Sequence, residues 1–244
     1  MSVKAVFFDL DGTLLPMDEA KFTRFYFNEL SKEVRQFGIE LMPLSVSIWK
    51  GVKAMVKNDG AMTNYECFWI SFFEDFPQLL SRKEEVIAAI GNFYATNFAK
   101  AKAVTGENPL AQKLIRLLQE QGWPLVLATN PIFPYTATVT RMSFVGLTPS
   151  DFLDVSAYEN CSYAKPDPHY YTEMLERNGF RPEEVLMIGN DFDEDVIPTR
   201  QLGMRSVLVS DCLLGEPDDE VRVMTFAELY EKIQNRELEE LYGG

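Results

Sequence analysis

Five short apolar runs, each bounded by polar residues, glycine or proline, constrain the fold of this chain more than any other feature of its sequence. They span residues 3–10, 125–129, 152–157, 185–189 and 206–209. Runs of this length, rich in β-branched residues, are typical of the buried strands of a parallel sheet. Helical patterns lie between most of them. The alternation predicts an α/β fold with a doubly wound, mostly parallel, Rossmann-like sheet.

The helical patterns predict helices over residues 108–121, 134–145, 168–178, 193–202 and 226–241. From residue 18 to about residue 102, apolar residues such as Phe22, Tyr26 and Leu30 recur at helical spacing. Further helices are predicted there over residues 44–56, 63–73 and 82–101. The sequence therefore predicts an all-α cap domain, residues 16–103, inserted into a core domain of residues 1–15 and 104–244. We expect a few of the aromatic side chains of this cap domain to line a cleft facing the sheet.

The composition is that of a soluble globular protein, with 46% hydrophobic and 25% charged residues in 244. A net charge of −14 disfavours nucleic acid and anionic membranes as partners. Cys67, Cys161 and Cys212 are widely spaced, which argues against a disulfide framework or a zinc site. Together with an N-terminus that shows no secretory leader, they predict a cytoplasmic location. A single histidine, His169, excludes a multi-histidine metal site.

A pair of aspartates, Asp9 and Asp11, follows the first apolar run. In open α/β sheets, ligands bind at the carboxyl ends of the strands. Residues two apart in an extended chain point the same way, so both carboxylates can converge on one ligand. Gly12 allows the backbone to turn away without a clash. An ordinary Asp-Gly turn after a strand would give the same pattern.

Two further segments supply groups that can bind an anion. Thr129 ends the second run and Asn130 follows it. The Thr129 hydroxyl and the Asn130 backbone N–H could donate to an anion, although a turn or helix cap explains these residues equally well. Lys165 precedes Pro166 and so lies in a restricted, extended segment. A charge fixed in this way can neutralise a carboxylate or a phosphate, and the alternative is a solvated surface lysine.

The densest group of acids follows the run at 185–189 and comprises Asp191, Asp193, Glu194 and Asp195. Two carboxylates about 4 Å apart repel by roughly 4 kcal/mol at an effective dielectric constant of about 20. A hard cation would turn this repulsion into attraction, and oxygen ligands without cysteine or histidine suit Mg²⁺. Asp193 and Glu194 also fit the acids that stabilise a helix N-terminus.

Together and in this order, these segments resemble the motifs of the haloacid dehalogenase superfamily of phosphotransferases. The matching residues are Asp9-Leu10-Asp11-Gly12-Thr13, then Thr129, Lys165, and Asp191 with Asp195. The resemblance covers the predicted core domain, and the helical module resembles the family's cap, inserted after the first motif.

The resemblance implies a mechanism in which Asp9 attacks phosphorus and forms an aspartyl-phosphate, with Asp11 as the acid/base partner. It implies Mg²⁺ as cofactor, held by the Asp9 carboxylate, the Asp11 backbone carbonyl and Asp191. The same resemblance implies that Lys165 offsets negative charge and that Thr129 and the Asn130 N–H bind phosphoryl oxygens. It also implies that Asp195 supports Lys165 or a metal-bound water. Asn190, next to the metal carboxylate, receives no ligand role.

Asp11 distinguishes reaction types within the family, because relatives that dehalogenate or cleave carbon–phosphorus bonds lack this aspartate. We therefore expect a phosphatase acting on a small-molecule phosphate ester, as a monomer or homodimer. A phosphomutase or a catalytically silent binding protein of the same fold are the alternatives. Five basic residues of the predicted cap domain could bind a second anionic group of the substrate or could form solvated helix faces: Lys21, Arg24, Lys50, Lys53 and Lys57.

Overall fold

The centre of the molecule, in a computed structural model that describes residues 2–241, is a six-stranded parallel sheet in the order β3-β2-β1-β4-β5-β6. The strands are β1 Ala5–Phe8, β2 Leu125–Leu127, β3 Asp154–Val155, β4 Val185–Gly189, β5 Arg205–Val209 and β6 Arg222–Met224. The predicted doubly wound α/β sheet is confirmed. Strand β6 at one edge was not predicted. The predicted core domain includes residues 1 and 242–244, which lie outside the described residues.

The helices within residues 2–241 are α1 Glu19–Val34, α2 Leu41–Val56, α3 Asn64–Asp75, α4 Lys83–Ala95, α5 Ala111–Glu120, α6 Tyr135–Phe144, α7 Pro168–Asn178, α8 Ile197–Gln201 and α9 Phe226–Gln234. Helix α7 has the predicted bounds. None of these helices has the length and apolar character that crossing a bilayer requires.

Three predicted helices are shorter than expected because the backbone changes geometry within them. The segment predicted over 193–202 is a π-helical turn, Phe192–Val196, followed by α8. The segment predicted over 226–241 stops before Arg236, whose φ of 62° is incompatible with a continuing helix. In the third, predicted over 82–101, α4 gives way to the 3₁₀ segment Asn97–Val104.

Strand β1 shows how the sheet builds a core on both faces. Val6 and Phe8 belong to one apolar cluster with α5 and α9, whereas Ala5 and Phe7 belong to another with α7. All four are fully buried. This alternation follows from the period of two along a strand, and burial on both faces explains why the run reads as continuously apolar.

Every regular element between Glu19 and Val104 is helical, and we call this segment the helical insertion. It has its own aromatic-rich apolar cluster, which Ala137 and Tyr158 of the sheet-bearing part join. At the start of α3, the backbone N–H groups of Asn64 and Tyr65 donate to the carbonyls of Cys161 and Tyr158, at 2.8 and 2.7 Å. The insertion therefore packs directly against the loops at the edge of the sheet. The domain boundaries at residues 16 and 103 stay a prediction.

The apolar core of the insertion should carry much of its stability. Phe72 in α3 is fully buried among aromatic rings, whereas Ile70 in the same helix is 53% exposed. Replacing Phe72 by alanine leaves a cavity, so Phe72→Ala is expected to lower the free energy of unfolding by about 3–5 kcal/mol. Ile70→Ala, the control, should cost less than about 1 kcal/mol. Denaturant titration followed by circular dichroism measures both, and equal losses would contradict this account of the core.

Candidate active site

The candidate site lies where strands β1, β2 and β4 end. Phe8 is in register with Leu127 on one side and with Ile188 on the other, so the residues that follow these strands meet at one edge of the sheet. The structure brings together at this edge the sequence-predicted residues of all four motifs: Asp9, Asp11, Thr129, Asn130, Lys165, Asp191 and Asp195. His169 is exposed and pairs with Asp167.

Lys165 is the electrostatic centre of this edge. Its Nζ donates to Asp9 Oδ1 at 2.9 Å and to Asp195 Oδ1 at 2.6 Å, and its side chain is 1% exposed. Burial by itself would lower the pKa of Lys165, but the charges of Asp195 and Asp9 outweigh it and hold the pKa well above its usual range. The lysine therefore remains a cation, and the alternative of a solvated surface lysine is wrong.

Asp195 is fixed from several sides. Its Oδ2 accepts the backbone N–H groups of Asn190 and Asp191, at 3.0 and 3.1 Å, and the Tyr171 hydroxyl donates to its Oδ1 at 3.2 Å. Gly189 makes room for it, because a Cβ at that position would lie 2.1 Å from Oδ2. The position of Asp195 is thus set by backbone groups at the end of β4, and Lys165 is held in turn.

Asp11 faces a cation that sequence reasoning missed. Nη1 of Arg141, on α6, lies 3.0 Å from Asp11 Oδ2, and the guanidinium stands over the Phe133 ring at 4.3 Å. Burial raises the pKa of Asp11, while Arg141 opposes this shift. Arg141 is fully buried on the same helix face as Ala137 and Thr138. The one signal in the sequence was the spacing of Arg141, four residues after Ala137 and three residues after Thr138, which places it on their face of the helix.

Asn190 connects the loops after β1 and β4. Its Oδ1 accepts the Thr13 hydroxyl at 2.9 Å, and its Nδ2 donates to the carbonyl of Cys212 at 2.8 Å. The same side chain packs on Gly12, where a Cβ would come within 2.2 Å of Nδ2 and where φ is +90°. Asn190 therefore positions the turn that carries the first motif, and glycine is required there for space as well as conformation.

Glu194 points into the site, contrary to its interpretation as a simple helix-terminal acid. Its carboxylate accepts Nδ2 of Asn130 at 3.0 Å, and burial raises its pKa to about 8. Asp193, the other acid interpreted in this way, is exposed. The hydroxyl of Thr129 and the backbone N–H of Asn130 donate to no other described residue. Both donors are therefore free to bind a ligand that enters the site.

The oxygen atoms of this edge fit a hard divalent cation. No hydrogen bond among the described residues uses the Asp11 carbonyl oxygen, and Asp11 Oδ1 is a buried acceptor without a partner there. Burial raises the pKa of Asp191, which lies at the same edge. Within residues 2–241, no group of three or more acidic, histidine or cysteine side chains meets the geometry of a complete metal site. The expected set differs from such a group, because it combines two carboxylates with one carbonyl.

The carboxylates open into a cavity of about 340 Å³ between the sheet edge and the helical insertion. Asp9, Asp11 and Asp191 lie at its polar end. None of the five basic residues of the insertion considered above lines it, and all five are exposed. Of the two interpretations of these five residues, the structure therefore favours solvated helix faces over contact with a second anionic group.

Comparison with known proteins gives one family. A family model described as haloacid dehalogenase-like hydrolase matches residues 3–203. The chain is 24% identical over 223 residues to glyceraldehyde 3-phosphate phosphatase from Methanothermobacter thermautotrophicus, with 90% of this chain and 91% of that protein covered. It is 26% identical over 215 residues to ribulose-1,5-bisphosphate 5-phosphatase from Halopiger xanaduensis, covering 84% and 83%.

A solved structure shares the fold. The 2-haloacid dehalogenase from Pseudomonas syringae pv. tomato matches with a TM-score of 0.66 at 16% identity, covering 96% of this chain and 99% of that one. At this identity the likeness concerns the architecture alone.

The hydrogen bonds of Asp195 predict the effect of a neutral isostere. In Asp195→Asn the amide NH₂ must face either the backbone N–H groups of Asn190 and Asp191 or the Lys165 ammonium, so donors are left without an acceptor. The free energy of unfolding should fall by about 1–3 kcal/mol. Asp193→Asn, at an exposed position two residues away, should change it by less than about 0.5 kcal/mol. Guanidinium titration of both variants measures the difference, and indistinguishable midpoints would refute the assigned contacts.

Proposed function

The chain belongs to the haloacid dehalogenase-like hydrolase family and is a phosphoric monoester hydrolase, and we propose that it releases phosphate from a small phosphorylated metabolite through an aspartyl-phosphate on Asp9. The observation that carries this proposal is the pair Asp9 and Asp11 at the end of β1, with the buried Lys165 ammonium on the first carboxylate and Arg141 beside the second. The names of the relatives support a phosphatase of small phosphorylated compounds. A cytoplasmic location and the oligomeric state stay predictions.

Asp9 is the proposed nucleophile. Asp9 is 6% exposed and lines the cavity, where a phosphoryl group can reach its carboxylate and bulk water is largely excluded. Burial raises the pKa of Asp9 to about 7, against the lowering effect of Lys165. In the first step a carboxylate oxygen forms a bond to phosphorus while the bond from phosphorus to the ester oxygen breaks.

Asp11 is the proposed general acid and base. It gives a proton to the leaving ester oxygen in the first step. In the second step it accepts a proton from a water molecule whose oxygen bonds to phosphorus while the bond from phosphorus to the Asp9 carboxylate breaks, which releases phosphate and restores Asp9. Burial favours its protonated form and Arg141 favours its ionised form. Burial is the larger influence and raises the pKa of Asp11, which favours the protonated form that the first step requires.

The rest of the site binds and neutralises the phosphoryl group. We propose that the Thr129 hydroxyl and the Asn130 N–H donate to its oxygens, and that Lys165 offsets its charge. The Asp9 carboxylate, the Asp11 carbonyl and Asp191 would hold Mg²⁺, an assignment supported by the oxygen-only donor set. When bound, this ion would supply positive charge that favours ionised Asp9 and offsets the charge of the phosphate. Asp195 positions Lys165.

The proposal predicts Mg²⁺-dependent phosphate release that depends on Asp9. With 4-nitrophenyl phosphate as substrate, Asp9→Asn should reduce kcat by at least about a thousandfold, because the amide is not a nucleophile. EDTA should abolish the wild-type rate and Mg²⁺ should restore it. Phosphate release is measured by malachite green, and acid quenching followed by mass spectrometry of the Asp9 peptide detects the phosphorylated intermediate.

Asp193→Asn is the matched control, since it removes one exposed carboxylate near the site and should retain the wild-type rate. Full activity of Asp9→Asn would overturn the proposal. A phosphomutase would instead release little phosphate and would isomerise a sugar phosphate when a bisphosphate activator is added. A silent binding protein would give no turnover across a broad panel of phosphate esters.

A further inference from the structure

The cavity above the carboxylates is largely aromatic where it meets the helical insertion. Among residues 2–241, nine phenylalanine, tyrosine and tryptophan side chains line it, seven from the insertion and two from the sheet-bearing part. They include Phe22, Tyr26, Trp49, Phe68, Trp69 and Phe133. The sequence led us to expect only a few such residues. A ligand with its phosphoryl group at Asp9 would place its leaving group among these rings.

The insertion offers few polar groups to a leaving group with many hydroxyls. The hydroxyls of Tyr26 and Tyr94 hydrogen-bond to each other at 2.7 Å, so part of their capacity is already used. The one charged residue of the insertion among the residues that line the cavity is Glu19. A buried polyol would lose hydrogen bonds to water that the few polar groups of the insertion replace only in part.

Trp49 gives an independent indication of what occupies the cavity. It lines the cavity and yet is 54% exposed, with its ring centroid 6.0 Å from that of Phe27. A flat ring seated beside Trp49 would cover apolar surface that water now contacts. A volume of about 340 Å³ lies at the small end of the range for ligand pockets, which suits a leaving group of one or two rings.

We propose that the substrate of this enzyme is a phosphate monoester of a small aromatic alcohol without a second anionic group. The inference rests on the proposed function, because it takes the phosphoryl group to lie at Asp9. It departs from the relatives whose names specify a triose phosphate and a pentose bisphosphate. The aromatic lining of the insertion stabilises the leaving group. The cation that lines the cavity among the described residues, Arg141, already pairs with Asp11, and no lysine or arginine of the insertion lines it, so a second phosphate would meet no unpaired positive charge.

The test compares benzyl phosphate with glycerol 3-phosphate and ribulose 1,5-bisphosphate in the presence of Mg²⁺. The first two are esters of primary alcohols, so a difference in kcat/KM reports mainly on the pocket. We expect kcat/KM for benzyl phosphate to exceed that for glycerol 3-phosphate at least about tenfold. The bisphosphate should be the poorest substrate. Equal values, or a preference for either polyol ester, would overturn the inference and leave the phosphatase activity standing.

Trp49→Ala locates the preference. It should lower the ratio of kcat/KM for benzyl phosphate to that for glycerol 3-phosphate about fivefold. Ile70→Ala, which removes an equally exposed apolar side chain of the insertion outside the cavity, should leave the ratio unchanged. An unchanged ratio in Trp49→Ala would count against the proposed seat of the ring.

A binding measurement keeps the inference separate from the activity. Isothermal titration of the wild-type protein with benzylphosphonate and with methylphosphonate, in Mg²⁺, compares ligands that differ only by the ring. At least about tenfold tighter binding of benzylphosphonate is expected. If no ester is turned over, the proposed function fails, and this titration still decides whether the cavity takes an aromatic group. Equal affinities would refute it.

Discussion

The buried ammonium group of Lys165 is the interaction on which the candidate site depends. Removing such a charge from water costs several kcal/mol, so it is stable only where carboxylates surround it. Asp9 and Asp195 meet this need. Asp9 directly follows β1 and Asp195 lies in the turn after β4, and these two strands are neighbours in the sheet. The strand order thus has a chemical consequence, because it brings two distant aspartates to one lysine.

The lysine does not balance the acids at this edge, and the imbalance explains why a cation should bind. Two carboxylates share the Lys165 charge, a third pairs with Arg141, and Asp191 and Glu194 lie close by. Burial raises the pKa of Asp191 and of Glu194, and it also raises the pKa of Asp9 and of Asp11. A divalent cation relieves this electrostatic cost and lets the acids ionise. The attraction for metal is therefore a property of the fold.

The parts of the structure that sequence reasoning predicted well are those set by local signals. Helix α7 begins at Pro168 and ends before Gly179, which has a left-handed conformation. Proline at the start of a helix and glycine just after its end are both common, and the predicted bounds of α7 are confirmed. Strand β3 has two residues where six were predicted, because apolar burial extends beyond the residues that pair in the ladder. Motif residues after strands were found because parallel strands end at one edge.

Features that depend on contacts between distant segments could not be predicted from local sequence signals. Arg141 lies within an ordinary helical pattern, and nothing in the neighbouring sequence specifies that Asp11 lies opposite. Glu194 has the sequence context of a helix-terminal acid, and only the packing of the loop after β2 turns it towards Asn130. Both residues modify the charge of the site. Their omission therefore affects the expected protonation of the acids more than the identity of the reaction.

The two parts of the chain carry separable determinants. A few charged and polar atoms at the sheet edge set the reaction, and their positions are fixed by short backbone segments such as Gly189 to Asp191. The cavity wall is built mainly from large apolar side chains of the insertion, which belong to an apolar cluster distinct from those on the two faces of the sheet. Relatives with this sheet edge should therefore share a chemistry while differing in substrate. For this chain, the wall is the better guide to what is hydrolysed.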